Sequence, residues 1–153
     1  MTSPILNTGT EVIVAAFISA LTAQLFKFFL HLFHEKKPDF KWLFQTGGMP
    51  SSHSSAMSAL ASSVGFIEGT QSVSFAIALG IAVVVMYDAA GLRQAAGRMA
   101  RILNRMTEDF YAHHPENIPD RIRELLGHTP LEVFIGALFG VFVSWAFHTL
   151  ILV

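Results

Sequence analysis

The sequence predicts an all-α membrane protein: a polytopic helical bundle of about four spans, with one amphipathic helix and one short helix. Three observations predict it. Hydrophobic residues make up 52% of the 153-residue chain and charged residues only 14%, against roughly 25% charged in an ordinary soluble domain. The mean hydropathy is +0.50. The charges are also bunched: 19 of the 21 lie between His34 and Glu132, leaving only Glu11 and Lys27 outside that stretch. Long uncharged stretches around a polar middle are the pattern of spans joined by solvated loops. The length implies a single domain, 1–153. A net charge of −1 gives no field that steers a polyanion, so nucleic acid is excluded as a partner. The absence of cysteine excludes disulfides, thiolate metal sites and cysteine catalysis.

Val12 to Phe33 reads as the first span, apolar except for Gln24, Lys27 and His31. About 20 residues suffice to cross the hydrocarbon core. It is expected to be retained, since no basic residue precedes it and no small-residue cleavage site closes it. His34 to Met49 is a polar connection in which Pro38 and Gly47-Gly48 break any helix. Pro50 to Phe66 is rich in Ser and Ala and so reads as a weak span, buried among helices rather than facing lipid. After a turn at Gly69-Thr70, Ser72 to Tyr87 is a strong span. Gly91 to Tyr111 places Arg at 93, 98, 101 and 105 against Leu92, Met99, Leu103 and Met106, an amphipathic helix at the membrane surface. Pro119 to Leu126 reads as a short helix, with Pro at its start and Gly127 past its end. Thr129 to Val153 is the last span.

Lysine and arginine set the expected orientation. Three lie at 34–49 and six between 91 and 123, and with four crossings both groups fall on one side. The positive-inside rule makes that side the cytoplasm and puts both termini outside, in a bacterial plasma membrane on this reading.

Four constellations carry potential chemistry. In Gly47-Gly48-Met49-Pro50-Ser51-Ser52-His53-Ser54 the glycines allow close backbone approach, and Ser51 or Ser52 can cap a helix whose first N–H groups form an anion site. His53 there could donate a proton to a leaving oxygen; a capped helix start with a solvated histidine explains the same residues. In Gly127-His128-Thr129-Pro130-Leu131-Glu132, His128 and Glu132 lie four apart. A carboxylate on one imidazole nitrogen leaves the other free as a nucleophile. Thr129-x-x-Glu132 is also a capping box, which alone accounts for Glu132. Gln24, Lys27, His31 and His34 share one face of the first span. Lys27 either faces the bundle interior or snorkels to the surface. Asp88 ends the third span where negative charge is disfavoured, and needs a cation such as Arg93 or Lys27. Glu108, Asp109, His113 and His114 read as a solvated loop rather than a metal site, and His148 as a hydrogen-bonded packing residue.

At Pro50-Ser51-Ser52-His53 the sequence resembles the type-2 phosphatidic acid phosphatase superfamily, which includes the vanadium haloperoxidases, and more closely its divergent bacterial and plant branch. The likeness runs from about Gln24 to Gly140. It rests on Gly47 to Ser54, on Tyr87-Asp88-Ala89-Ala90-Gly91-Leu92-Arg93 and on Gly127 to Glu132. The superfamily's second motif is Pro-Ser-Gly-His; Ser52 replaces the glycine and His53 stands at the proton-donor position. The third motif ends in His, three residues, Asp, a spacing His128 and Glu132 keep, so the resemblance implies that His128 is the nucleophile. Ile122, between Arg121 and Arg123, stands where the third motif has arginine. The first motif, Lys, six residues, Arg-Pro, is not kept; Lys37-Pro38 could mimic its end, with Lys27 ten residues upstream.

The resemblance implies a metal-independent, cofactor-free lipid phosphatase acting through a phospho-histidine, with His128, His53 and Glu132 as catalytic residues. Lys27, Lys37, Arg93 and Arg123, with Ser51 and Ser52, are the candidates for binding phosphate; Gln24 and Asp88 are structural or ligand candidates. The expected partners are the bilayer and a phospholipid or isoprenoid phosphate, with phosphatidylglycerophosphate favoured by a cytoplasmic site. A homodimer is compatible with so small a bundle. Two other classes fit the same residues: an inactive lipid-binding, transport or assembly protein, and an ion-coupled transporter built on Lys27, Asp88 and the histidines.

Overall fold

The chain folds into helices α1 (Gly9–Glu35), α2 (Ser52–Glu68), α3 (Val73–Ala90), α4 (Leu92–Phe110) and α5 (Pro130–Ala146), the last continuing as a π-helix over Phe147–Leu152. The computed structural model describes residues 4–35, 48–112, 120–122 and 127–152. Three stretches, Gly9–Phe33, Val73–Phe110 and Pro130–Leu150, are long and apolar enough to cross a membrane. Helix α2 is shorter, with 17 residues, roughly 25 Å at about 1.5 Å per residue.

Side-chain pairings fix the directions. Glu11, near the start of α1, bonds His148, beyond the end of α5, so these helices are antiparallel. Ser51 and Ser63 of α2 meet Gly136 and Ser144 of α5 in rising order, so α2 and α5 are parallel. Helices α2 and α3 form a hairpin turned at Gly69, whose φ of +84° favours glycine, and Ala61 packs on Ala78 and Ala82. The backbone N–H of His128 donates to the carbonyl of Ala89 at 3.2 Å, so α5 begins at the end of the bundle where α3 finishes. The intervening α4 therefore makes no net crossing.

The interior is made of small residues. Ala15, Ala23, Ala59, Ser19, Ser54, Ser55, Ser63 and Ser144 are buried, whereas Phe17, Phe29, Val84, Phe142 and many other large apolar residues face outward. This inverts a water-soluble core and suits a bilayer, where helix association comes from close packing and interhelical hydrogen bonds. The serine-rich α2 occupies the centre, as its composition predicts. Its hydroxyls bond across to two of its neighbours: Ser55 to Ser19 of α1 at 2.6 Å, and, on α5, Ser58 to the carbonyl of Ala137 at 2.7 Å and Ser63 to Ser144 at 2.7 Å.

Helix α4 is three-sided. Gly97, Ala100 and Asn104 turn inward, Arg98, Arg101 and Arg105 are exposed on a second side, and Leu92, Met99, Ile102, Leu103 and Met106 are exposed on the third. That is the amphipathic helix the periodicity predicts. The short helix expected over Pro119–Leu126 needs correction where the structure describes it. Residues 120–122 are not helical, because the Asn104 side chain takes both backbone groups of Ile122: its amide donates to the carbonyl and its oxygen accepts the N–H, each at 2.9 Å. The remainder of that expected helix lies outside the described residues.

The α2–α5 contact is the tightest. A Cβ on Gly140 would collide with the Ser55 carbonyl oxygen and Ser58 Oγ, and one on Gly136 would lie 2.6 Å from the Ser51 carbonyl oxygen. Backbone cannot yield as a flexible side chain does. Gly140→Ala is expected to cost about 1–3 kcal/mol, the usual range for overpacking, and to lower the thermal midpoint in detergent. Gly80→Ala, where nothing lies within 4 Å, should hold or raise the midpoint; equal effects at the two positions would refute close packing at Gly140.

Candidate active site

The polar residues singled out in the sequence gather at the end of the bundle where α1 and α3 finish and α2 and α5 begin. At the start of α5, Thr129 is the N-cap, Pro130 opens the first turn, and the capping box is complete: Thr129 Oγ1 accepts the Glu132 N–H, and Glu132 Oε2 accepts the Thr129 N–H at 3.1 Å. The same Oε2 lies 3.1 Å from His128 Nδ1. The two explanations of Glu132 therefore hold together: one oxygen closes the helix start and fixes the imidazole. A carboxylate has only acceptors, so Nδ1 carries the hydrogen and the lone pair of the neutral ring falls on Nε2. His128 is only 5% exposed, which restricts the ring further.

At the start of α2 the chain turns through Gly48 (φ +79°) and a cis Met49–Pro50 peptide. Ser51 is the N-cap, fully buried, and its Oγ accepts from the N–H of Ser54 and bonds the Ser54 hydroxyl at 3.0 Å. Its N–H donates to the backbone carbonyl of Glu132 at 3.3 Å. Ser51 thus joins the two helix starts, placing the first turn of α2 beside the His128–Glu132 pair. Ser52 is half-buried and His53 is exposed in that first turn, whose N–H groups and dipole favour an anion.

Lys27 comes from α1. It is 4% exposed and its Nζ donates to Gln24 Oε1 at 3.0 Å. Of its two sequence readings, interior placement is the one observed; the ammonium does not snorkel. Glu132 is the acidic group whose charge acts on it. A cation, an imidazole held by a carboxylate and a helix N-terminus thus share one end of the bundle, a set suited to binding and transferring a phosphoryl group.

Asp88 is half-buried at the end of α3, beside the carbonyl that receives the His128 N–H. Lys37 and Arg123 lie outside the described residues, as does the Arg93 side chain. Among the loop acids, Glu108 pairs with Arg121 at 2.7 Å, and no cluster of three metal-ligating side chains occurs among the described residues. The sequence reading missed a second carboxylate–imidazole pair, at the opposite end of the bundle. Glu11, fully buried, accepts from the Asn7 N–H at 2.7 Å and contacts His148 Nδ1 at 2.5 Å. The available signal was a lone carboxylate opening one span and a lone histidine near the end of an antiparallel one.

A small-residue bundle with these polar groups at one end is the arrangement carried by the motifs at 47–54, 87–93 and 127–132, and residues 8–143 match the model of the divergent PAP2 family. The chain belongs to that family. It is 34% identical over 142 residues to the uncharacterized membrane protein YuiD of Bacillus subtilis (strain 168), an alignment covering 86% of this chain and 90% of the relative. No solved structure matches the chain.

The His128 geometry makes a prediction independent of turnover. In ¹⁵N-labelled protein in detergent, the neutral His128 ring should show a protonated Nδ1 and an unprotonated Nε2. Glu132→Ala should erase that preference, and should also cost about 0.3–1.5 kcal/mol of stability through the lost half of the capping box. A dominant Nε2–H tautomer in the unmodified protein would refute the assignment.

Proposed function

We propose that the protein is a membrane lipid phosphate phosphatase that uses His128 as nucleophile. The observation that carries this reading is the His128 Nδ1–Glu132 Oε2 contact of 3.1 Å, which supports a basic Nε2 on the far side of the ring, at the end of the bundle that also holds buried Lys27. In the first step Nε2 attacks phosphorus in line, the bond from phosphorus to the lipid oxygen breaks, and His53 protonates the departing oxygen. In the second step water attacks the phospho-histidine, giving up a proton to His53, and free phosphate leaves with His128 regenerated. Glu132 stabilises the imidazolium character that develops in between. Lys27, Ser52 and the first turn of α2 neutralise charge on the phosphoryl oxygens, with Lys37, Arg93 and Arg123 as further candidates. No step calls for a metal.

The basic segments at 34–49 and 91–123 favour a cytoplasmic site. Phospholipid precursors are made on that leaflet, so phosphatidylglycerophosphate is preferred over a polyprenyl diphosphate released outside. The competing reading is a catalytically inactive lipid-binding or transport protein on the same fold, consistent with the replaced glycine at Ser52 and the missing arginine at Ile122.

Phosphate release from phosphatidylglycerophosphate, phosphatidic acid and polyprenyl phosphates separates the two readings. His128→Ala and His53→Ala should each lower turnover by more than about 10²-fold, the scale of acid–base groups, in protein that still folds. Glu132→Gln should also be slow, although glutamine preserves the capping box. Near-normal turnover by a folded His128→Ala protein would eliminate the nucleophile assignment. The orientation is open to a separate check with single cysteines in this cysteine-free chain. In intact cells a membrane-impermeant thiol reagent should label Thr70→Cys and spare Asn117→Cys; the opposite pattern would invert the topology and the substrate preference with it.

A further inference from the structure

The proposed chemistry requires a lipid to present its phosphate at the Lys27–His128 end while its hydrocarbon chain stays in the bilayer. A groove of about 260 Å³ between α1 and α2 is lined by Phe17, Ala20, Leu21, Gln24 and Ser52. Its two ends differ in chemistry. Gln24 is the residue that receives the Lys27 ammonium, and Ser52 is the first residue of α2, so this end lies next to residues of the candidate phosphate site. Phe17 and Leu21 form the other end and face outward, where the bilayer lies. From Gln24 to Phe17 is about two helical turns, roughly 10 Å along α1. Between them Ala20 contributes the smallest side chain and leaves the floor open.

We propose that this groove seats the upper part of the hydrocarbon chain of a lipid phosphate, entering sideways from the bilayer between α1 and α2. The inference rests on the lipid-phosphate reading above and adds the route and chain site. A chain moving from lipid into the groove leaves one apolar medium for another, so it gains little hydrophobic free energy. The groove acts through contact and alignment, holding the chain so that the phosphorus lies in line with Nε2. Headgroup and chain are then recognised by adjacent faces of the same two helices.

The test uses the purified full chain in phosphatidylcholine vesicles containing phosphatidic acid with a photoreactive diazirine on its acyl chain. Labelling should concentrate at Phe17, Ala20 and Leu21, and should be competed by unlabelled phosphatidic acid but not by added phosphatidylcholine. Ala20→Trp, which fills the groove, should abolish that labelling. It should also lower kcat/KM for a long-chain lipid phosphate by roughly tenfold or more, the scale on which a pocket responds to lost fit, while sparing a short water-soluble phosphate monoester. Ala20→Leu serves as the milder filling if the tryptophan variant does not fold. Labels spread evenly over other outward positions such as Val84 and Phe142 would overturn the chain site, as would an Ala20→Trp protein with unchanged lipid turnover. Concentrated, headgroup-competed labelling without phosphate release would support the chain site and remove the phosphatase reading instead.

Discussion

The close approach of α2 to α5 is the constraint on which the rest of the structure depends. Gly136 and Gly140 bring α5 against the backbone at Ser51 and Ser55 and the hydroxyl of Ser58, with no room for a Cβ. At that separation the Ser51 N–H reaches the Glu132 carbonyl and Ser58 reaches that of Ala137. Two helix starts far apart in sequence become one polar corner. Lys27 is added by α1, itself held to α2 through Ser19 and Ser55. The site therefore follows from the packing of small residues, and needs no large apolar core beneath it.

The same packing explains how a serine-rich helix can sit in the middle of a membrane bundle. An unsatisfied hydroxyl in hydrocarbon costs several kcal/mol on the least forgiving scales. Each buried serine of α2 meets a carbonyl or another hydroxyl, and among the described residues no buried side-chain nitrogen or oxygen lacks a partner. The large apolar residues, unneeded inside, are turned to the lipid.

Much of this was legible in the sequence. Hydropathy located α1, α3 and α5, and the Ser/Ala content of α2 placed it inside. The arginine periodicity marked α4, and Thr129-x-x-Glu132 marked the start of α5. What escaped was non-local. Glu11 and His148 are 137 positions apart, and only the antiparallel pairing of α1 with α5 makes them neighbours. The helical reading of 120–122 followed local cues, Pro119 and Gly127, and was overridden by one buried amide, Asn104, that captures the backbone of Ile122. The sequence left two readings of Lys27 open, because snorkelling and burial differ only in which way one face of α1 turns.

The three-sided α4 has a bearing on where the imidazole lies across the membrane. A helix with arginines on one side and bare apolar side chains on another settles at one depth, with its arginines among the headgroups and its leucines and methionines just below them. Helix α4 begins two residues after Ala89–Ala90, and the carbonyl of Ala89 holds the backbone of His128. The end of α3 thus joins the start of α4 to the start of α5. An α4 seated in the interface would act as a float, holding the end of α3, and with it the start of α5, near the level of the lipid phosphates.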